Sequence, residues 1–430
     1  MRPCILALDL GTTAFKAGLV AAGRLAATPV VAPYRLDHRP DGAVLCDPAL
    51  YAETALQALA GAARSAREAG LEPRAVALTS QAQTYIPVDE RGRPVGPAVV
   101  WTDDRAVREA AEAADALPDF AASAGFTEPS PLQFLCKAAM RGRREGHPAR
   151  YLLLNEWVAL ALTGAAYGDD VNQGMGGFMD IRTRAWNPAA LAFAGIHEGM
   201  PAPCGPAATL SEPLTADAAE RLGVGRIPVH SCGNDQSCGA IGAGAVDEGA
   251  GFLNFGTAMV AYRTLAAPAA PAEPWQIAGI SPLPERWFLL GVESEFGNMV
   301  EWLAELLWPA EGVGTMLEAC AEGAPWPGVP DFTPTGGGRC SLLGVGPGVE
   351  RLGLGRAALA YYLGRVRTMA GALWPQGLPA RLMAAGGMSR SDAWLGLVEA
   401  ELGLRPHRAD AEHAGLIGAA RVVEAVRPVV

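Results

Sequence analysis

Near the start of the chain an apolar strand ends in an acidic residue and runs straight into a glycine–threonine turn. Cys4-Ile5-Leu6-Ala7-Leu8 leads into Asp9-Leu10-Gly11-Thr12-Thr13, and residues 14–20 continue as a second strand. A comparable strand and turn stand mid-chain at Leu253-Asn254-Phe255-Gly256-Thr257. Helices and further strands follow both. This coarse repetition predicts an α/β chain of two similar domains with a cleft between them, divided as 1–245 and 246–430. A Gly-Thr turn lets backbone N–H groups approach an anion with no Cβ in the way, and the hydroxyls add donors, which suits a phosphate. Asp9 at the strand end can hold a hydrated Mg²⁺ that bridges phosphates. Taken alone, either turn is explained equally well as an ordinary hairpin.

Composition narrows the function. Of 430 residues half are hydrophobic and 18% charged, enough apolar material for large cores and too little charge for disorder. The net charge is −11 and Lys16 and Lys137 are the only lysines, which excludes a basic nucleic-acid surface. It does not exclude a nucleotide, whose phosphates amides, hydroxyls and Mg²⁺ can hold. No stretch reaches the roughly 18–20 apolar residues of a membrane helix. The first apolar run is broken by Asp9, so it reads as a buried strand rather than a signal peptide. Eight scattered cysteines without a CxxC pair argue against zinc or a disulfide scaffold, and the expected compartment is the cytoplasm.

Periodicity predicts helices over 49–69, 105–116, 151–162, 235–245, 298–307, 357–373, 391–403 and 412–426. Strands are expected over 74–79, 228–230, 251–264, 287–293 and 381–385, with a hairpin over 85–100. The Pro-rich 266–274 and the stretch 323–338 read as surface loops.

Three further groups carry chemistry. Asp235, in Ser231-Cys232-Gly233-Asn234-Asp235-Gln236, follows an apolar strand and opens a Gly/Ala-rich helix. A carboxylate there can take a hydroxyl proton while the oxygen attacks a phosphoryl group, or can simply cap the helix. Gln81-Ala82-Gln83 and Trp101-Thr102-Asp103-Asp104-Arg105 each follow a strand and combine amide, indole, carboxylate and guanidinium, a set suited to a polyhydroxylated ligand. Gly386-Gly387-Met388-Ser389 follows a strand and leaves room for adenine and ribose against the backbone.

Taken in order, these segments resemble the FGGY family of carbohydrate kinases, and the matches run nearly end to end. They are Asp9 to Thr13 with Lys16, Ser80 to Gln83, Trp101 to Arg105, the YLLLNEWVALALTG stretch at 151–164, and Phe178-Met179-Asp180 with Trp186. Gly233 to Gln236, Gly256-Thr257, residues 384–403 and Glu412 to Ala420 follow. The resemblance implies the two-domain actin/ribonuclease-H-like fold and ATP- and Mg²⁺-dependent transfer of a phosphoryl group to a primary hydroxyl of a small sugar or polyol. It implies Asp235 as the base and Asp9 as the group that positions Mg²⁺. Gly11, Thr12, Thr13, Gly256 and Thr257 match phosphate contacts, and Gly386, Gly387 and Ser389 the adenosine side. Gln81, Gln83, Trp101, Asp103 and Gln236 fall on the acceptor side. The first acceptor motif is neither the Gln-Met-His of xylulokinase-like members nor the Gln-Arg-Glu of glycerol kinases. Thr335 to Cys340 replaces a Gly-Glu-Arg-x-Pro stretch in a second half that is short for the family. A non-catalytic sugar- or nucleotide-binding relative is therefore the alternative expectation. The expected partners are the acceptor and ATP, with no nucleic acid and no membrane, and a homodimer is the assembly to test.

Overall fold

The computed structural model describes residues 2–409 and 413–426, so Glu412, the expected start of the last helix, lies outside the described residues. The chain forms two compact units. The first comprises 1–242, 265–288 and 413–430, the second 243–264 and 289–412.

The first unit is built on a seven-stranded sheet. From one edge the strands run Ser211–Pro213, Pro228–Asn234, Leu71–Ser80, Arg2–Leu10, Ala14–Ala21 and Arg24–Leu25, and Val30–Pro33 also pairs with Ala14–Ala21. Arg2–Leu10 turns back antiparallel into Ala14–Ala21, while Leu71–Ser80 lies parallel to it and Pro228–Asn234 parallel to that. The helix Pro48–Glu68 starts where Asp47 accepts a hydrogen bond from the Ala49 N–H and Pro48 presets the first turn. Its Tyr51, Ala55, Leu59, Ala62 and Ala66 recur at helical spacing and join Leu6, Leu8 and Leu19 in one core. A second sheet, Arg150–Leu153, Tyr85–Val88, Ala98–Val99, Val44–Cys46 and Asp37–His38, carries the segment that leads to Trp101.

The second unit repeats the motif. Ala250–Phe255 and Met259–Leu265 form an antiparallel pair around Gly256-Thr257, and Arg381–Ala385 lies parallel to the first of them. Phe255, Phe296, Tyr362 and Trp394 pack edge-to-face and tilted in its core.

The chain leaves the first unit after residue 242 and then returns to it twice. Ile277 bridges Phe126, and the Trp287 Nε1 donates to the Ile181 carbonyl at 2.7 Å. The last helix, Ala414–Val426, crosses Asp235–Ala243 where two glycines meet: a Cβ on Gly242 would enter the Ala414 backbone, and one on Gly418 the Cys238 backbone. A division at one point of the sequence cannot describe this, because sheet pairing and helix crossing join distant stretches.

Other expectations also change. Within 151–162 the first residues are strand, Arg150–Leu153 pairing with Tyr85–Val88, and the helix is Leu154–Thr163. The hairpin Asp331–Gly336 with Arg339–Leu343 occupies part of the loop expected at 323–338. Helices Phe134–Glu145 and Gly312–Ala321 were not anticipated. All eight cysteines are free, and among the described residues no helix is long and apolar enough to cross a membrane.

Candidate active site

The parallel register of the first unit brings Asp9 and Asp235 to the same end of the sheet. Leu10 pairs with Ser80 and Ser80 with Asn234, so Asp9, Gln81 and Asp235 stand at neighbouring strand ends. Ligands of α/β sheets bind outside such carboxyl ends.

Asp235 is the first residue of its helix. Asn234, not Asp235, is the cap, accepting from the Ser237 N–H at 2.8 Å. Asp235 accepts from the Gln236 N–H at 2.9 Å and, at 3.5 Å, from the Gln236 side-chain amide. A helix N-terminus favours a carboxylate, but removal from water and the nearby Asp9 charge win, raising Asp235 to about 7. Burial likewise raises Asp9, opposed by Lys16, its register partner across the hairpin. Asp9 Oδ1 is buried with no hydrogen-bond partner. An orphaned carboxylate oxygen at a strand end has the chemistry of a Mg²⁺ or Mg²⁺-water ligand, so the residue fits the expected ion.

The first phosphate-type turn is tied to the acceptor motifs. Thr12 Oγ1 donates to Gln81 Oε1 at 2.9 Å, and Trp101 Nε1 donates to Thr12 Oγ1 at 2.9 Å. The Gln81 N–H donates to the Leu10 carbonyl at 3.1 Å, and the Tyr34 hydroxyl to the Gly11 carbonyl at 2.5 Å. Gln81 Nε2 is buried and makes no hydrogen bond of good geometry, although the Tyr34 hydroxyl lies nearby. Thr13 and Trp101 are exposed.

Two residues expected on the acceptor side bond to other parts of the first unit. Asp103 is wholly buried and bonds the Val44 N–H at 3.2 Å and the Arg105 guanidinium at 2.8 Å. Gln83 sits at φ 68° with its Oε1 accepting from the Phe134 N–H at 3.1 Å. The Arg105 contact is local, but those with Val44 and Phe134 were not legible, because each of these partners lies in a different element.

In the second unit Asn254 pairs with Ala385, so the Gly256 and Gly386 turns leave adjacent strand ends. The Gly386 turn lies so close to Phe255 that any Cβ there would strike its backbone. Gly256, Thr257 and Gly387 line a cavity of about 720 Å³ together with Val300, Leu317 and Arg390. Its size and apolar patches fit a nucleoside. Ser389 is buried and donates to the Gly386 carbonyl at 2.7 Å, so it braces the turn from behind. Val300 and Leu317 come from helices that carry no motif, which is why sequence reasoning missed them.

The paired hairpin-plus-parallel-strand units and their glycine turns define an actin/ribonuclease-H-like α/β fold. The chain matches the model of the FGGY family of carbohydrate kinases, N-terminal domain, over residues 4–127 and 132–242, more than half its length, and it belongs to that family. It is 22% identical to a xylulose kinase of Staphylococcus xylosus over 73% of this chain. That match spans only 66% of the relative's length. It is 28% identical to a glycerol kinase of Rhodospirillum centenum, covering 92% of this chain and 83% of that protein. The crystal structure of xylulose kinase from Rhodospirillum rubrum superposes with a TM-score of 0.87 at 24% identity, covering 97% of this chain and 89% of that one, a likeness of fold.

Proposed function

We propose that this protein is an ATP-dependent carbohydrate kinase that phosphorylates a primary hydroxyl of a small ketose or polyol. The observation that carries the reading is the pairing of Asp9, with its free oxygen, and Asp235, raised to about 7 in part by the Asp9 charge, at the ends of the two strands that flank Leu71–Ser80. The acceptor would lie against the exposed Trp101 ring, with hydroxyls bonded by the Gln81 and Gln236 amides. Asp235 takes the proton of the attacking hydroxyl as its oxygen bonds to the γ-phosphorus and the β–γ bridge bond breaks, releasing ADP. In the first unit Gly11, Thr12 and Thr13 would offer donors to phosphate oxygens; in the second Gly256 and Thr257 would do the same. Gly387 lies in the adenosine cavity, Gly386 and Ser389 supporting it. Asp9 would hold Mg²⁺, which supplies charge neutralisation for the phosphates. Asp103 and Gln83 act on the acceptor side through the segments they brace. We place the reaction in the cytoplasm, where ATP is made and free thiols persist.

The test is ATP consumption against glycerol, tetritols, pentuloses and hexuloses, with nucleotide binding measured separately. Turnover with one acceptor class is expected. Nucleotide binding without turnover on any acceptor overturns the reading in favour of a non-catalytic binder.

Two outcomes follow. Gln81→Leu keeps the volume but removes both amide functions. Acceptor KM should rise about tenfold, the loss expected for one or two buried hydrogen bonds, with ATP KM unchanged; an unchanged acceptor KM removes Gln81 from the site. The base works only when ionised, so kcat/KM for the acceptor should fall about tenfold per pH unit below about 7. A profile flat from pH 5 to 8 would assign the base elsewhere.

A further inference from the structure

We propose that Lys137 is a positioning residue for acceptor recognition, fastening the Trp101–Asp103 segment to the helix Phe134–Glu145. This rests on the acceptor reading given above for Trp101.

Lys137 is one of two lysines in the chain, and it is wholly buried. An ammonium group taken out of water costs several kcal/mol, and burial pulls this one down to about 7, opposed by Asp103. A leucine or methionine would fill the same space without that cost, so the amine is explained by its contacts. Its Nζ donates to the Val100 carbonyl at 3.0 Å and the Trp101 carbonyl at 3.3 Å. These carbonyls belong to the bend where the chain leaves the strand Ala98–Val99 and presents the Trp101 ring. The other side of the bend is held by Asp103, which bonds the Val44 N–H and Arg105. Trp101 in turn reaches Thr12, and Thr12 reaches Gln81.

The same helix turn holds the other acceptor motif. The Phe134 N–H, one turn before Lys137, bonds Gln83 Oε1 at 3.1 Å, and Gln83 has the positive φ that side chains seldom adopt. The first turn of one helix therefore sets both Gln83 and Trp101. An Nζ with two carbonyls fixes the bend in a way an apolar side chain cannot, because it bonds backbone atoms at both residues.

The test is Lys137→Met, which keeps length and removes the buried charge. The acceptor KM should rise at least about tenfold, as expected for a recognition group displaced by a fraction of an ångström, with ATP KM unchanged. Amide hydrogen exchange should quicken over 100–105 while 135–145 keeps its protection. If the Met variant does not fold, Lys137→Gln, whose shorter side chain draws the donor back from both carbonyls, is measured in the same way. An acceptor KM within about twofold of wild type, in a folded variant, overturns the proposal and leaves Lys137 a core residue. If the wild-type protein turns over no acceptor, the kinase reading fails by itself. Exchange then decides: faster exchange confined to 100–105 supports the positioning role, and unchanged exchange there overturns it.

Discussion

Asp235→Asn should reduce phosphoryl transfer by about a thousandfold, the contribution of a positioned base, while nucleotide affinity stays at the wild-type value. The amide has the size of the carboxylate and keeps an acceptor oxygen for the Gln236 N–H, but it cannot take the hydroxyl proton. The cavity proposed for the nucleoside is lined by residues of the second unit, so nucleotide affinity reads a part of the chain that the substitution leaves unchanged. The same substitution should raise stability at alkaline pH. Asp235 is raised to about 7 in the folded protein, chiefly by burial and then by Asp9, so folding favours its protonated form. An acid raised in this way destabilises the fold as pH climbs through its folded value, and has no effect below its unfolded one. The Asn variant should therefore melt above wild type at pH 8, by roughly 1–3 kcal/mol after allowance for partial exposure, and match it below about pH 4. A folded variant with near-normal turnover removes Asp235 as the base. Equal melting at both pH values shows that its carboxylate is not held under strain.

The largest effect on stability is expected from Gly418→Val. A Cβ at Gly418 would occupy the space of the Cys238 backbone, and neither backbone can swing aside as a flexible side chain can. The two helices must part or the last helix must leave the first unit. The expected loss is about 3 kcal/mol or more, at the upper end for overpacking, with Gly418→Ala less damaged. Urea unfolding measures it, and a midpoint equal to wild type would show that the helices cross elsewhere. The helix opposite carries Asp235, so the surviving Ala variant should also lose kcat.

Some of the site was legible because its signals are local. Asp9-Gly11-Thr12 and Gly256-Thr257 each sit on the short turn between two apolar strands, a pattern contained within a few residues. Asp235 follows a strand and opens a helix within a few residues. The Leu-rich stretch at 151–153 was ambiguous, since a short apolar run suits a buried strand or a helix, and pairing with Tyr85–Val88 decided it. The hairpin at 331–343 was hidden by its Gly-rich connection. Asp103 was expected as a ligand contact; it bonds its near neighbour Arg105, and packing brings the Val44 N–H to it as well.

By itself the sequence determined the two strand-and-turn units, the acidic residues placed to serve them and the family to which they belong. The tertiary structure alone decided which groups meet. Asp9, Gln81 and Asp235 become neighbours through parallel strands, whose register is set by burial of both sheet faces across long crossovers rather than by any tight turn. Lys137 came under Trp101, and the last helix returned to the first unit, for the same reason: contacts between residues far apart in sequence are chosen by packing.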